Sequence, residues 1–93
     1  MAYQLLYHPD VLKRDLPKIP RNIKEIIRKA IEERLLQEPF LLGEPLRQSL
    51  KGHRKLRVGD YRVIYRVESN QIIILKIGHR KEVYSKVFSR LNN

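Results

Sequence analysis

Cysteine and tryptophan are absent from this chain, methionine occurs once and glycine only four times. Without cysteine there is no disulfide framework, no thiolate metal centre and no cysteine nucleophile, and redox chemistry leaves the compartment open. Long apolar runs are missing as well. The longest, Ile72 to Leu75, falls far short of the roughly 20 residues that a membrane span needs. Met1 to Asp10 shows no basic flank leading into an apolar core, so the cytoplasm is the expected address. Acidic residues are scarce: 10 Asp+Glu stand against 20 Lys+Arg, a net charge of +10. Residues 1–46 hold 8 basic and 7 acidic residues, whereas residues 47–93 hold 12 and 3, so nearly all the excess lies in the second half. Charge of one sign, concentrated in this way, points to a polyanionic or acidic partner.

What is present is one domain's worth of chain. Ninety-three residues with 42% hydrophobic composition can bury a single core and leave no room for a second. Tyr3 to His8 reads as an opening strand, with Asp10 as N-cap of a short helix over Val11–Leu16 that Pro17 stops. After Pro20, Ile23, Ile26, Ile27, Ala30, Ile31 and Leu35 recur at helical spacing, predicting a longer helix that lies on a core. Pro39 to Gly52 reads as a connector, with Leu42, Leu46 and Leu50 to fasten it. Three strands follow, His53–Val58, Tyr61–Val67 and Gln71–Ile77, rich in β-branched and aromatic residues and joined by short polar turns. Ile72–Leu75 is apolar on both faces, as an inner strand would be. Val83 to Leu91 predicts a C-terminal helix. In order, the elements read as an opening strand, a core-facing helix pair, a β-meander and a terminal helix.

The hairpin register sorts the residues further. With Gly59-Asp60 as the loop, Val58 faces Tyr61, Arg57 faces Arg62 and Leu56 faces Val63, and directly opposed residues share a side of the sheet. Leu56, Val58, Tyr61, Val63, Tyr65 and Val67 then meet the long helix. His53, Lys55, Arg57, Arg62, Arg66 and one apolar residue, Ile64, fall on the other side. Like charges opposed across a hairpin are unfavourable, and nothing acidic in the hairpin shares that side, so an anion is expected there. A solvated basic surface is the plainer reading of the same pattern. Three histidines without a spaced carboxylate set make a weak metal site. There is no Gly-rich phosphate loop, serine nucleophile motif or paired carboxylate unit. Catalysis, if present, falls to Arg, Lys, Tyr and His.

Three segments, Leu50-Lys51-Gly52, Lys55 through Tyr65, and Ile77-Gly78-His79-Arg80-Lys81-Glu82-Val83-Tyr84, resemble the RelE/ParE superfamily of toxins from prokaryotic toxin-antitoxin pairs. The resemblance spans essentially the whole chain and implies a compact α+β fold: a twisted, mainly antiparallel β-sheet of the N-terminal strand and a C-terminal three-strand meander, with an N-terminal helical hairpin packed on one face and a short C-terminal helix. For the RelE branch it implies a metal-independent endoribonuclease, or mRNA interferase, that needs no cofactor and cuts mRNA in the ribosomal A site. The attack is by a ribose 2′-hydroxyl on the adjacent phosphate. The implied catalytic residues are Lys55, Arg62, Arg80 and Tyr84. Lys51, His53, Arg54, Arg57, Arg66, His79 and Lys81 are the surrounding RNA contacts. His53 stands where the family usually has a second lysine. The implied partners are the ribosome with its mRNA and an acidic RelB-like antitoxin, in a heterotetramer of toxin and antitoxin.

The chemistry of such a set is sound on its own terms. A phosphodiester under internal attack gathers negative charge on its equatorial oxygens, which fixed cations stabilise most where water is excluded. Lys55, Arg62 and Arg80 would do this, with Tyr84 as the base on the 2′-hydroxyl. The proton donor to the leaving oxygen stays open among Arg80, His53 and His79. The alternative function is a ParE-type toxin that poisons DNA gyrase without being a nuclease. A third is an inert relative that only binds antitoxin.

Overall fold

The computed structural model describes residues 3–46 and 51–85, with Val87 and Arg90 beyond them. Five strands form one sheet in the order β1-β5-β4-β3-β2: β1 is Gln4–Tyr7, β2 Glu44–Pro45, β3 Arg54–Val58, β4 Tyr61–Glu68 and β5 Gln71–His79. β1 pairs with β5 in parallel and every other pair is antiparallel. The middle position goes to β4, and β5 is the inner strand beside it. The β3–β4 hairpin has the register expected from its loop, with Val58 opposite Tyr61, Arg57 opposite Arg62 and Leu56 opposite Val63. Gly59 takes φ 59°, a left-handed conformation that an L side chain resists.

Between β1 and β2 the chain is helical. Val11–Asp15 winds as a wide π-type turn and runs into a 3-10 turn over Leu16–Lys18, which Pro17 and the extended Ile19 bring to an end. Asp10 does not cap this segment. Its side chain makes no capping bond, and its own N–H donates to His8 Nδ1 at 3.1 Å. The longer helix α1, Arg21–Lys29, continues through Ala30–Leu35 in wider π-type winding. Its outer face carries Arg28 bonded to Glu25 and Glu32. A short α2 follows at Pro39–Leu42. No helix among the described residues is long and apolar enough to cross a membrane.

Two apolar clusters lie on opposite sides of the sheet. On one, Ile27, Ile31 and Leu35 of the long helix and Val11 of the first turn bury against Leu56, Val63, Tyr65, Ile72, Ile74 and Ile77, with Val58, Tyr61 and Val67 at the margin. That is the helix-facing set the alternation predicts. In the other, among the described residues, Ile64 and Leu75 meet Val83 and Val87, with Leu46 and Tyr84 packed beside them. Leu46 therefore fastens the connector; Leu50 and the Leu42 side chain lie outside the described residues. Of the expected terminal helix Val83–Leu91, residues 83–85 are turns, Val87 and Arg90 are helical, and Leu91 falls outside the described residues.

A bulge makes the second cluster possible. The β4–β5 register shifts between Ile64 and Tyr65, which pair with Lys76 and Ile74, so Leu75 is the extra residue. A bulge lets two successive side chains share a side of the sheet. Leu75 and Lys76 do so: Leu75 packs on Ile64 and Lys76 is paired with it.

Candidate functional site

The hairpin turn organises two of the candidate residues. Arg62 lies opposite Arg57, yet it is only 7% exposed. Its Nη1 bends back and donates to the carbonyls of Gly59 at 3.0 Å and Tyr61 at 2.9 Å. The like-charge pairing that the sequence flagged as unfavourable is relieved here: Arg57 points to solvent while Arg62 folds onto partly negative carbonyl oxygens. On its other flank Arg62 is paired with Gly78, which has no side chain to compete for the space. Arg80 reaches the same turn. Its N–H donates to the Asp60 carbonyl at 2.8 Å, and its Nε stands 3.9 Å from the Asp60 carboxylate.

Lys55 and Tyr84 form the second pairing. Lys55 Nζ lies 6.0 Å from the centre of the Tyr84 ring, a cation over an aromatic face. The ring packs beside Ile64 and Val83, and the Tyr84 hydroxyl is buried with no hydrogen-bond partner among the described residues. Polar groups left in that state are uncommon in folded proteins. Gly78 joins the two pairings: a Cβ there would stand 3.4 Å from the Val83 Cβ, so Val83 fits closely over the residue that faces Arg62.

The acid-free basic side expected from the hairpin is corrected by its surroundings. Glu44 of β2 is paired directly with Lys55, its carboxylate 3.8 Å from Nζ, and Arg66 Nε meets Glu68 at 2.8 Å. These contacts, with Arg80 and Asp60, are loose or exposed ion pairs, a class that contributes little to stability and yields readily to a stronger anion. Glu44 escaped the sequence reading because a two-residue strand has no periodicity to detect.

The outer candidates divide. Lys51, Arg57 and Lys81 are exposed, and His53 is half-buried, its carbonyl accepting the Leu46 N–H at 2.9 Å. Two do not join the site. Arg54 is paired with Tyr65 on the helix side, and its guanidinium donates to the carbonyls of Phe40 and Gly43, both at 2.7 Å, while stacking 5.5 Å over the Phe40 ring. Strand alternation sends Arg54 and Lys55 to opposite sides. His79 is paired with Tyr61 on the helix side, with ring centres 5.6 Å apart in an edge-to-face contact, and its Nδ1 accepts the Lys81 N–H. Arg54 instead holds the turn before β2. There Tyr65 donates its hydroxyl to the Pro39 carbonyl at 2.6 Å, and burial pushes its phenol pKa up despite nearby Arg54. Gly43 lets that ring through: a Cβ at 43 would sit 1.7 Å from the Tyr65 hydroxyl.

A buried ionic cluster, Asp15, Lys76 and Arg90, lies at the outer edge of β5. Burial alone would raise the Asp15 carboxyl, but the Arg90 hydrogen bonds, the Ile77 amide and the Lys76 charge together hold it below the usual carboxylate value. No sequence signal marked these three as partners. Among the described residues, no group of three or more His, Asp or Glu could hold a metal ion.

A family model described as the ParE toxin of the type II toxin-antitoxin system parDE matches residues 5–84. Toxin RelG of Mycobacterium tuberculosis is 36% identical over 76 residues, covering 80% of this chain and 87% of the relative. The chain belongs to the RelE/ParE family of type II toxins. The family's fold is matched as well. The toxin-antitoxin complex RelBE2 of M. tuberculosis superposes with a TM-score of 0.79 at 32% identity, over 86% of this chain and 100% of that one. A free-state mutant of the E. coli toxin RelE does so at 0.74 and 26% identity, over 97% and 94%. The RelE/ParE resemblance of the Gly59–Asp60 hairpin and of the segment ending at Tyr84 is thus carried by most of the chain.

Proposed function

We propose that this toxin is a ribosome-dependent, metal-independent endoribonuclease that cuts mRNA in the ribosomal A site. The observation that carries the proposal is the buried Tyr84 hydroxyl, without a hydrogen-bond partner among the described residues, under the Lys55 cation and on the same side of the sheet as Arg62. In this reading Tyr84 takes the proton from the ribose 2′-hydroxyl. The oxygen attacks the adjacent phosphorus, a cyclic 2′,3′-phosphate forms, and the 5′-oxygen leaves with a proton from a neighbouring cation. Arg62 enters with its orientation already fixed. Only Nη1 holds the turn, and a guanidinium has five N–H donors in a rigid fork, so the other nitrogens are available to an equatorial phosphate oxygen. Phosphate displaces Glu44 from Lys55 and Asp60 from Arg80. With His79 on the helix side, Arg80 and His53 are left as donors to the leaving oxygen. Exposed Lys51, Arg57 and Lys81 supply backbone contacts to RNA, which orient without reading sequence.

The partner is an acidic RelB-like antitoxin, a reading supported by the M. tuberculosis relative RelBE2, whose structure is that of a toxin-antitoxin complex. Attraction between a +10 toxin and an acidic chain speeds their encounter. A second reading, gyrase poisoning without RNA cleavage, is favoured by the ParE description of the matching family model. Mapping of 5′ ends in cellular transcripts after brief induction separates the two. Cuts within translated codons support the nuclease, whereas double-strand DNA breaks with intact messages overturn it in favour of the gyrase reading.

A further inference from the structure

β1 ends at Tyr7, opposite Ile74, so the outer edge of β5 continues beyond its strand partner. Side chains complete it. Asp15 Oδ2 accepts the Ile77 N–H at 2.8 Å, and Arg90 Nη1 donates to the Leu75 carbonyl at 3.2 Å. The two side chains then meet each other. Arg90 Nη1 and Nη2 donate to the two Asp15 oxygens at 2.5 and 2.7 Å, a bidentate pair. Lys76 Nζ stands 3.6 Å from Asp15 and the Asp10 carboxylate 3.8 Å from Arg90 Nε, so the charges balance. Asp15 and Arg90 are themselves buried, at 7% and 8% exposed. A bidentate pair out of water has one geometry, because any other leaves a charge unpaired.

Arg90 belongs to the same segment as Val83, Tyr84 and Val87. Both valines are fully buried on Ile64 and Leu75, and among the described residues this cluster tapers to the half-buried Tyr84. Apolar packing is non-directional and does not by itself fix a phenol within the fraction of an ångström that proton transfer needs. Before Tyr84 the segment is tied to β5 by the Val83 N–H on the His79 carbonyl at 2.9 Å, and beyond Tyr84 the described side-chain contact to the sheet edge is Arg90 with Asp15. We infer that Asp15 and Arg90 are positioning residues that clamp the C-terminal segment to the sheet edge and so hold the Tyr84 phenol under Lys55. The inference rests on the nuclease reading only for its kinetic arm.

The test uses the full-length toxin with 13C-labelled tyrosine rings, the Tyr84 signal being assigned by its absence in Tyr84→Phe. Arg90→Met keeps the stem and removes the donors, Asp15→Asn removes the charge but keeps an acceptor for Ile77, and Arg90→Lys keeps the charge. The expected result is a Tyr84 signal displaced toward that of an exposed tyrosine in Arg90→Met and Asp15→Asn, and restored in part by Arg90→Lys. Single-turnover cleavage at saturating ribosomes should fall by about 10²-fold, the effect of a misplaced reacting group, with ribosome affinity within about threefold of wild type. An unmoved Tyr84 signal in either folded variant overturns the clamp. So does a displaced signal with an unchanged saturating rate, which would leave the pair a purely structural one. If Arg90→Met does not fold, the same comparison is read from Asp15→Asn and Arg90→Lys. A wild-type protein that cuts nothing defeats the nuclease reading, and the Tyr84 signal then decides the clamp alone.

Discussion

The two sides of the sheet are built on different principles. On the helix side, Ile27, Ile31 and Leu35 bury against five or more strand residues, and fixing the structure is a matter of apolar area. On the basic side the described residues include four buried apolar side chains, and directional contacts add to them: Arg62 on the turn carbonyls, Lys55 over Tyr84 and, at the outer edge of β5, Asp15 with Arg90. The larger described core lies on one side and the proposed chemistry on the other. This contrast explains how the toxin can keep cations close together. A large core on the helix side holds the strands in register whatever the charges opposite prefer.

Tyr84→Phe should give the largest departure between activity and stability. If the phenol is the base, single-turnover cleavage falls by about 10² to 10⁴-fold. Urea unfolding and ribosome affinity stay close to wild type, since the lost hydroxyl has no partner among the described residues. A Phe variant that cuts at the wild-type rate removes Tyr84 from the mechanism and leaves it a packing residue.

The converse experiment is on the helix side. Ile31→Ala or Leu35→Ala removes a fully buried side chain and should cost about 2 to 5 kcal/mol in urea unfolding. Well below the unfolding midpoint, the single-turnover rate should stay near that of wild type. A large rate loss in the folded variant would contradict the division of labour between the two sides.

Arg80→Ala and Arg62→Ala distinguish two kinds of cation within the basic side. Each should cost about 3 to 4 kcal/mol of transition-state stabilisation, measured as kcat on programmed ribosomes. Their stabilities should separate. Arg80 is exposed and its loss leaves unfolding unchanged, whereas Arg62 is buried and leaves two carbonyls short of a donor, at about 1 to 3 kcal/mol. Lys24→Ala, on the polar face of α1, should change neither quantity.

A smaller effect comes from acid. The Asp15 carboxyl is held below its unfolded value, so its contribution to stability is complete above that value, about 3.9, and is lost as pH falls through the lower folded one. The stability gap between wild type and Asp15→Asn should therefore be constant from pH 7 to pH 5 and close below about pH 4. Urea unfolding at pH 7, 5 and 3 measures it. A gap that widens in acid would reverse the assigned direction.

Features that repeat at short range were legible in the amino-acid order. Alternation through Leu56, Val58, Tyr61, Val63 and Tyr65, with a Gly-Asp loop between its halves, sets the β3–β4 register, because a slip of one residue would turn the whole apolar set to water. Three- and four-residue spacing from Ile23 to Leu35 likewise marks the helix that covers it. Features without a period emerged only in three dimensions. β2 is two residues long, yet it brings Glu44 to Lys55. A single extra residue at Leu75 puts Lys76 on the same side as Ile64. His79 joins Tyr61 on the helix side and Arg54 turns away from Lys55, because successive strand residues point to opposite sides. Asp15 and Arg90, 75 positions apart, meet only because β1 stops at Tyr7 and leaves an edge of β5 that two charged side chains complete.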